Sequence, residues 1–301
     1  VKRVFILNPG AGRARHSGKY KAWNARIRRQ FPQAPIVETV AIEDVPALCQ
    51  HWIDQSYTQL VMVGGDGFIN ACLPVLARHP AVSLGIIPIG TGCDFYRSIN
   101  HGKRDPLKVL RDNRQVLLPI GTIHADGGAP RFFCNSVSFG VTTEVLARKN
   151  NMPRLIPVGL HYFVATLLSL PGRKSISCAF FGDLQRQVQP YLAALICNGS
   201  FIGGGMQISP ASWVRQQGFS VLTINPMGLW TILANIKHLY SGGLEQLPLV
   251  QVTTVKRLDF EFENPIPLEC DGELIRGKRI TIDLAPHRIQ VVGSIAELPK
   301  H

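Results

Sequence analysis

Asp66, Asp94, Asp271 and Glu273 of this 301-residue chain lie in glycine-containing settings, each with its own chemistry. Asp66 lies within Gly64-Gly65-Asp66-Gly67, and Asp94 follows Gly90-Thr91-Gly92. Asp271 and Glu273 flank Gly272 in Cys270-Asp271-Gly272-Glu273. Glycine lets the backbone approach a ligand closely. A glycine turn that opens a helix also aims N–H groups and the positive end of the dipole at an anion. A carboxylate in such a turn would repel a phosphate unless a cation stands between them, which points to a Mg2+–nucleotide. The same Gly-Asp-Gly would serve equally as a plain turn in which Asp66 bonds its own backbone. Asp271-Gly272 has a similar alternative, because Asp-Gly is a favoured hairpin pair.

The elements around these turns narrow the choice. Apolar runs at Val1–Leu7, Pro35–Val40, Thr58–Val63 and Val82–Ile89 read as strands. Helical spacing follows each of them, in the stretches around 19–30, 42–54, 67–79 and 93–99, and again at 106–112. Strands alternating with helices predict a parallel sheet covered on both faces. The turns with Asn8, with Asp66 and with Asp94 then share one edge, outside the carboxyl ends of the strands, where open α/β sheets bind ligands. Neither the Walker A spacing nor G-x-G-x-x-G is present. From about Ile123 short β-rich runs come close together, with helical candidates at 159–170 and 229–240. The fold class expected is an α/β domain over 1–122, with 286–301 returning to it, and a β-rich antiparallel sandwich over 123–285.

Composition fits a globular protein, 46% apolar with a net charge of +12. Residues 1–30 hold nine Lys/Arg and no acid. That block suits anionic partners such as nucleotide phosphates or an acidic membrane surface, and would otherwise be a solvated helix face. No nucleic-acid module is recognisable, so no nucleic-acid partner is expected. Seven scattered cysteines without a C-x-x-C pair fit a reduced, cytoplasmic setting and no zinc site. Val4–Leu7 is too short for the apolar core of a signal peptide. Residues 155–172 are apolar but carry two prolines, two glycines and a histidine, which suits a helix touching lipid better than a span.

Four motifs in order resemble the diacylglycerol kinase catalytic-domain family, which includes bacterial lipid kinases and sphingosine kinases. They are "NPGAG" at 8–12, "GGDGF" at 64–68, "PIGTGCDFYR" at 88–97 and "CDGE" at 270–273, and the likeness covers nearly the whole chain. NAD kinases share the GGDG turn, but the Gly-Thr-x-x-Asp turn and the long second domain fit lipid kinases better. The resemblance implies ATP held by Asn8, Thr39, Gly64, Gly65, Asp66, Gly67, Gly90, Thr91 and Asp94, with Mg2+ organised by Asp66 and Asp94. It implies Asp271 as general base on the acceptor hydroxyl, with Glu273 close by, in an interdomain cleft. Phosphoryl transfer needs in-line positioning, charge neutralisation and a carboxylate for the hydroxyl proton, and these residues supply the types.

The sequence departs from the family pattern at Phe68 (threonine), Ala71 (glutamate) and Cys93 (asparagine). Gln216 and Gln217 stand where some members hold a magnesium ion with acids, and two amides supply no charge for a hard cation. Two function classes follow. One is an ATP-dependent kinase acting on a lipid such as diacylglycerol, or on a non-lipid hydroxylated metabolite. The other is a weakened or inactive homologue that binds nucleotide or lipid. Peripheral contact with an anionic membrane and a homodimer are both compatible with these residues.

Overall fold

Strand β1, Arg3–Leu7, and strand β3, Gln59–Gly64, are buried on both faces, as parallel strands inside an α/β layer must be. The computed structural model describes residues 1–8, 18–90, 92–100, 105–153, 156, 160–181, 187–209 and 218–294. The chain divides into two compact units, Val1–Ile120 with Ala285–His301, and Gly121–Leu284.

In the first unit, helix α1 (Gly18–Gln30), strand β2 (Ile36–Glu38) and helix α2 (Val45–Asp54) lie between β1 and β3. Helix α3 (Asp66–Leu76), strand β4 (Ser83–Pro88), helices α4 (Asp94–Asn100) and α5 (Pro106–Asp112) and strand β5 (Gln115–Leu118) follow. Side chains on alternate strand positions point to opposite faces. Phe5, Leu7, Val61, Val63 and Ile87 pack with Ile27 of α1 and with Leu107 and Leu110 of α5. Ile6, Met62 and Ile86 are buried on the other face. The last of the described strands, β18 (Ile289–Val292), returns to this sheet. The strand order is β2-β1-β3-β4-β18-β5, with β18 parallel to β4 and antiparallel to β5.

The second unit opens with strands β6 (Gly121–Ala125), β7 (Arg131–Phe133) and β8 (Ser136–Gly140). Helices α6 (Val141–Asn150) and α7 (His161–Ser169) come next. Strands β9 (Ile176–Phe181), β10 (Gln187–Tyr191) and β11 (Ala193–Cys197) follow, then the small pair β12 (Phe201–Ile202) and β13 (Met206–Gln207). Strand β14 (Phe219–Ile224) leads into helices α8 (Leu229–Asn235) and α9 (His238–Ser241) and strand β15 (Val250–Val255). The unit ends with the long hairpin of β16 (Arg257–Cys270) and β17 (Glu273–Leu284).

This unit is built on an antiparallel sheet ordered β15-β14-β11-β8-β16-β17-β6-β7. A register shift between Glu261 and Ile266 divides β16 into two stretches. Asp259–Phe262 pairs with β9, and Leu268–Cys270 pairs with β8. A bulge bends its strand, so one strand can serve two branches of a β-sandwich. Phenylalanines fill the core: Phe139 meets Phe260 and Phe262 edge-on, with ring centres 5.4 and 5.1 Å apart. Ala194 and Ile196 of β11 point into that core, whereas Ala193, Leu195 and Cys197 face a second apolar cluster. The α/β unit with a parallel sheet and the antiparallel sandwich unit agree with the fold class read from the sequence.

Candidate functional site

The carboxyl ends of the parallel strands carry the first group of residues. The Asn8 amide donates to the Val63 carbonyl at 3.1 Å, and the Thr39 amide donates to the Leu7 carbonyl at 2.9 Å. Those bonds hold the ends of β1, β2 and β3 together. The Ile89 amide donates to the Gly64 carbonyl at 3.0 Å, tying the second glycine turn to the third. A Cβ on Gly90 would fall 2.6 Å from the Gly65 Cα, so the two turns touch backbone to backbone and admit no side chain there.

Asp66 makes the second link. The amides of Asp94 and Phe95 donate to its two carboxylate oxygens at 3.0 and 3.1 Å. A carboxylate accepting the first amides of a helix caps it and favours its dipole. Asp66 therefore caps α4 from a neighbouring turn and does not bond its own turn alone. Asp94, buried, pairs with Arg97 at 3.3 Å. Cys93, between the two, has a left-handed backbone with φ of 52°. Its thiol donates to the Gly90 carbonyl at 3.3 Å, and burial together with the Asp66 charge pushes it up to about 12.

Among the described residues of these turns, one feature suits a nucleotide phosphate. The N-cap of α3 is Gly65, which has no side chain to cap it, and the space where a Cβ of Gly67 would stand is open. Backbone donors at that helix start can be reached by an anion. A cation cage needs several carboxylates or carbonyl oxygens. Among the described residues no three His, Cys, Asp or Glu side chains are grouped to form one. Phe68 is buried against Gly64, where a Cβ would meet its ring at 2.7 Å. Thr91, Gln216 and Gln217 lie outside the described residues, as does the turn from Pro9 to Ser17.

The second group lies in the sandwich unit. Asp271 and Gly272 join β16 to β17 with φ of 46° and 87°, the pattern of a type I′ turn. The Asp271 carboxylate, 9% exposed, accepts from three successive amides of the β7–β8 connection. Cys134 donates at 2.6 Å, Asn135 at 2.9 Å and Ser136 at 2.7 Å. Glu273 turns elsewhere: it is exposed and pairs with Arg131 at 3.3 Å.

Sequence reasoning missed the polar pair beside this turn. Glu269 accepts from the Ser138 hydroxyl and from the Gly272 amide, each at 2.7 Å. The two residues are direct cross-strand partners, so their meeting depends on the register of β16 against β8. They line a mostly apolar cavity of about 150 Å³ whose walls come from the sheet and the helices α6–α9. Val145 and Leu146 of α6, Leu195 of β11, Ile224 of β14 and Ile236 contribute to its walls. The only sequence signal was a Ser and a Glu at alternate positions of otherwise apolar strands.

An α/β unit with phosphate-type glycine turns, followed by an antiparallel sandwich carrying an Asp-Gly-Glu turn, defines a class of kinase-like proteins. The diacylglycerol kinase catalytic domain family matches residues 2–123, and the YegS C-terminal NAD kinase beta sandwich-like domain matches residues 135–293. The chain belongs to this lipid kinase-like family. Curated relatives include "Probable lipid kinase YegS-like" of Yersinia pestis (strain Pestoides F) and its namesake in Yersinia pseudotuberculosis serotype O:1b (strain IP 31758). Each is 27% identical over 232 residues, covering 75% of this chain and 76% of the relative. The fold is shared with a "putative diacylglycerol kinase" from Bacillus anthracis str. Sterne, with a TM-score of 0.76 at 20% identity over 98% of this chain and 96% of that one. A second diacylglycerol kinase structure from that strain has a TM-score of 0.72 at 17% identity, with 98% of each chain covered.

Proposed function

We propose that this protein transfers the γ-phosphate of Mg-ATP to a hydroxyl of an apolar lipid alcohol such as diacylglycerol. The observation that carries the reading is the cavity of the sandwich unit, lined mostly by apolar side chains, with the hydrogen-bonded Ser138 and Glu269 among its few polar ones. Ligand sites are typically apolar pockets with a few placed polar groups, and acyl chains suit such walls. The donor would sit on the glycine turns of the first unit, with phosphates at the open start of α3 and adenosine near Asn8 and Thr39. Gly67, beside open space, gives the close backbone approach, Gly64, Gly65 and Gly90 let the turns pack closely, Asp66 and Asp94 hold the α4 turn in place, and Thr91 follows Gly90 in the sequence. Mg2+ would arrive with the nucleotide as part of the substrate, since it is usually bound through one or two carboxylates together with substrate phosphates.

In the transfer, the acceptor oxygen forms a bond to the γ-phosphorus while the bond to the β–γ bridging oxygen breaks and ADP leaves. The hydroxyl proton passes to the Asp271 carboxylate, whose position is fixed by its three amide donors. Preorganisation of this kind costs no rearrangement during the reaction. The same clasp also favours a second reading, a homologue that binds lipid or nucleotide without turnover, in which Asp271 only staples the β16–β17 turn.

Purified protein with Mg-ATP and detergent-dispersed dioctanoylglycerol should release ADP and phosphorylated lipid. Asp271→Asn should stop transfer and also lower stability by about 2 kcal/mol, because an amide points a donor at backbone donors. Transfer rates must therefore be compared below the variant's melting transition. Binding of ATP or lipid without turnover by the wild type would establish the second reading, and absence of nucleotide binding would end the kinase reading.

A further inference from the structure

The loop that clasps Asp271 carries a polar atom with nothing to bind. Its Cys134, Asn135 and Ser136 amides all donate to the Asp271 carboxylate. The loop is also held from its carbonyl side. The Asn198 and Gly199 amides donate to the Asn135 carbonyl, each at 2.8 Å, and the Asn198 side chain donates to the Cys134 carbonyl at 2.9 Å. Asn135 is 4% exposed, yet its side-chain oxygen is buried with no hydrogen-bond partner. Of the buried side-chain atoms without a partner among the described residues, this one alone belongs to the clasp.

A buried acceptor left unsatisfied costs about 1–3 kcal/mol. The clasp itself does not require that cost, because it uses backbone amides that an alanine would supply equally well. Such an orphan calls for a functional explanation. The Asn135 amide lies 2.9 Å from Asp271 Oδ1, so its side chain starts one hydrogen bond away from the carboxylate assigned to the hydroxyl proton. The missing partner is a donor, and Asp271 already takes the proton of the reacting hydroxyl. A second hydroxyl on the same acceptor molecule supplies the donor. The terminal torsion of asparagine is soft, which lets the oxygen swing to meet it. Strand β8 then runs from this loop to Ser138, which lines the apolar cavity, so a chain attached to that polar head finds its walls there.

We propose that Asn135 is a specificity-determining residue, whose side-chain oxygen accepts a hydrogen bond from a second hydroxyl of the acceptor, on the carbon next to the one phosphorylated. The preferred acceptor is then a lipid with adjacent hydroxyls, such as a monoacylglycerol. A diacylglycerol, whose middle oxygen is esterified, leaves the buried oxygen unmet and reacts more slowly. The inference rests on the lipid-acceptor reading and narrows it. A site built to bond a hydroxyl discriminates strongly against the analogue that lacks it.

The test compares two soluble acceptors on the full chain with Mg-ATP: 1-monooctanoylglycerol, and 3-hydroxypropyl octanoate, which lacks only the middle hydroxymethine oxygen. Wild-type kcat/KM should favour monooctanoylglycerol by about tenfold or more. Asn135→Ala should bring that ratio close to one by slowing monooctanoylglycerol, with the other acceptor changed by no more than roughly threefold. Its melting temperature should not fall, because the clasp is kept and an unsatisfied atom is removed. Should the alanine variant fold poorly, Asn135→Ser, which is too short to reach the same hydroxyl, gives the same comparison. Equal rates for both acceptors with the wild type would overturn the proposal. So would an equal loss on both in the variant, which would make Asn135 a support for the base alone. A lower melting temperature with the ratio intact would also overturn it, by assigning the oxygen a structural partner. Should the wild type phosphorylate neither acceptor, the kinase reading falls and binding decides the inference. A larger rise in melting temperature with monooctanoylglycerol than with its analogue, lost in Asn135→Ala, would keep the contact. No such difference would end the inference as well.

Discussion

Cys93 occupies a backbone conformation that its side chain disfavours. Its φ of 52° lies in the left-handed region, where a residue with a Cβ costs roughly 1 kcal/mol and asparagine is among the best tolerated. The resemblance places asparagine at this position, and the geometry supplies the physical reason for that preference. Cys93→Asn is expected to raise stability by about 1 kcal/mol, read as an upward shift of a few degrees in the melting temperature. A lower melting temperature would mean that the buried thiol contact to Gly90 outweighs the backbone relief. At the same scale, the sequence made the acids legible but not their partners. Asp66 was visible as an acid in a glycine turn, whereas its bonds to the amides of Asp94 and Phe95 join residues far apart in the chain. Asp271 was visible as an Asp-Gly turn, and its clasp by the amides of Cys134, Asn135 and Ser136 was not.

Helix α3 and strand β3 meet through Phe68, and the element depends on that ring. Phe68 is 2% exposed and fills the space left by Gly64, where a larger residue would collide with it. Phe68→Thr would restore the hydroxyl of the family pattern but remove a buried ring. The expected cost is about 3 kcal/mol, measured as a lower denaturation midpoint, with no gain in nucleotide affinity at temperatures where the variant is folded. Paired substitution of Phe68→Thr with a larger residue at position 64 would test whether the glycine is coupled to the ring. Among the elements, the parallel strands and the returning β18 were readable because their apolar runs are short and bounded by turns. Helix α6 was not read as a helix, because β-branched residues at Val141, Thr142 and Thr143 look strand-like. The helix expected across 229–240 is two, α8 and α9. The cavity was illegible because periodicity says which residues face inward, not how closely the layers above them pack.

Across the whole molecule, all seven cysteines are free and buried. Burial pushes Cys49 and Cys178 up to about 12, and it raises Cys72, Cys197 and Cys270 as well. Since the thiolate is the reactive form, native protein at pH 8 should react slowly with a thiol reagent, while denatured protein should titrate seven. The sign for stability follows from the direction of the shifts. Thiols whose folded values are raised contribute fully below about 9, and that contribution is lost as pH rises from there towards 12. Rapid native reaction of several thiols would show that the cores open readily.

The placement of β18 between β4 and β5 sets an order of events during synthesis. The neighbours of this strand are made early, but the strand itself is made after residues 121–284. At ribosomal speeds the interval is on the order of 10–30 s. Until then β4 and β5 have no partner to join them, and the edge of β4 is open to wrong pairing. The nascent chain therefore passes through a stage in which a nucleotide-type sheet is nearly formed but unsealed, and the emergence of Ile289–Val292 closes it.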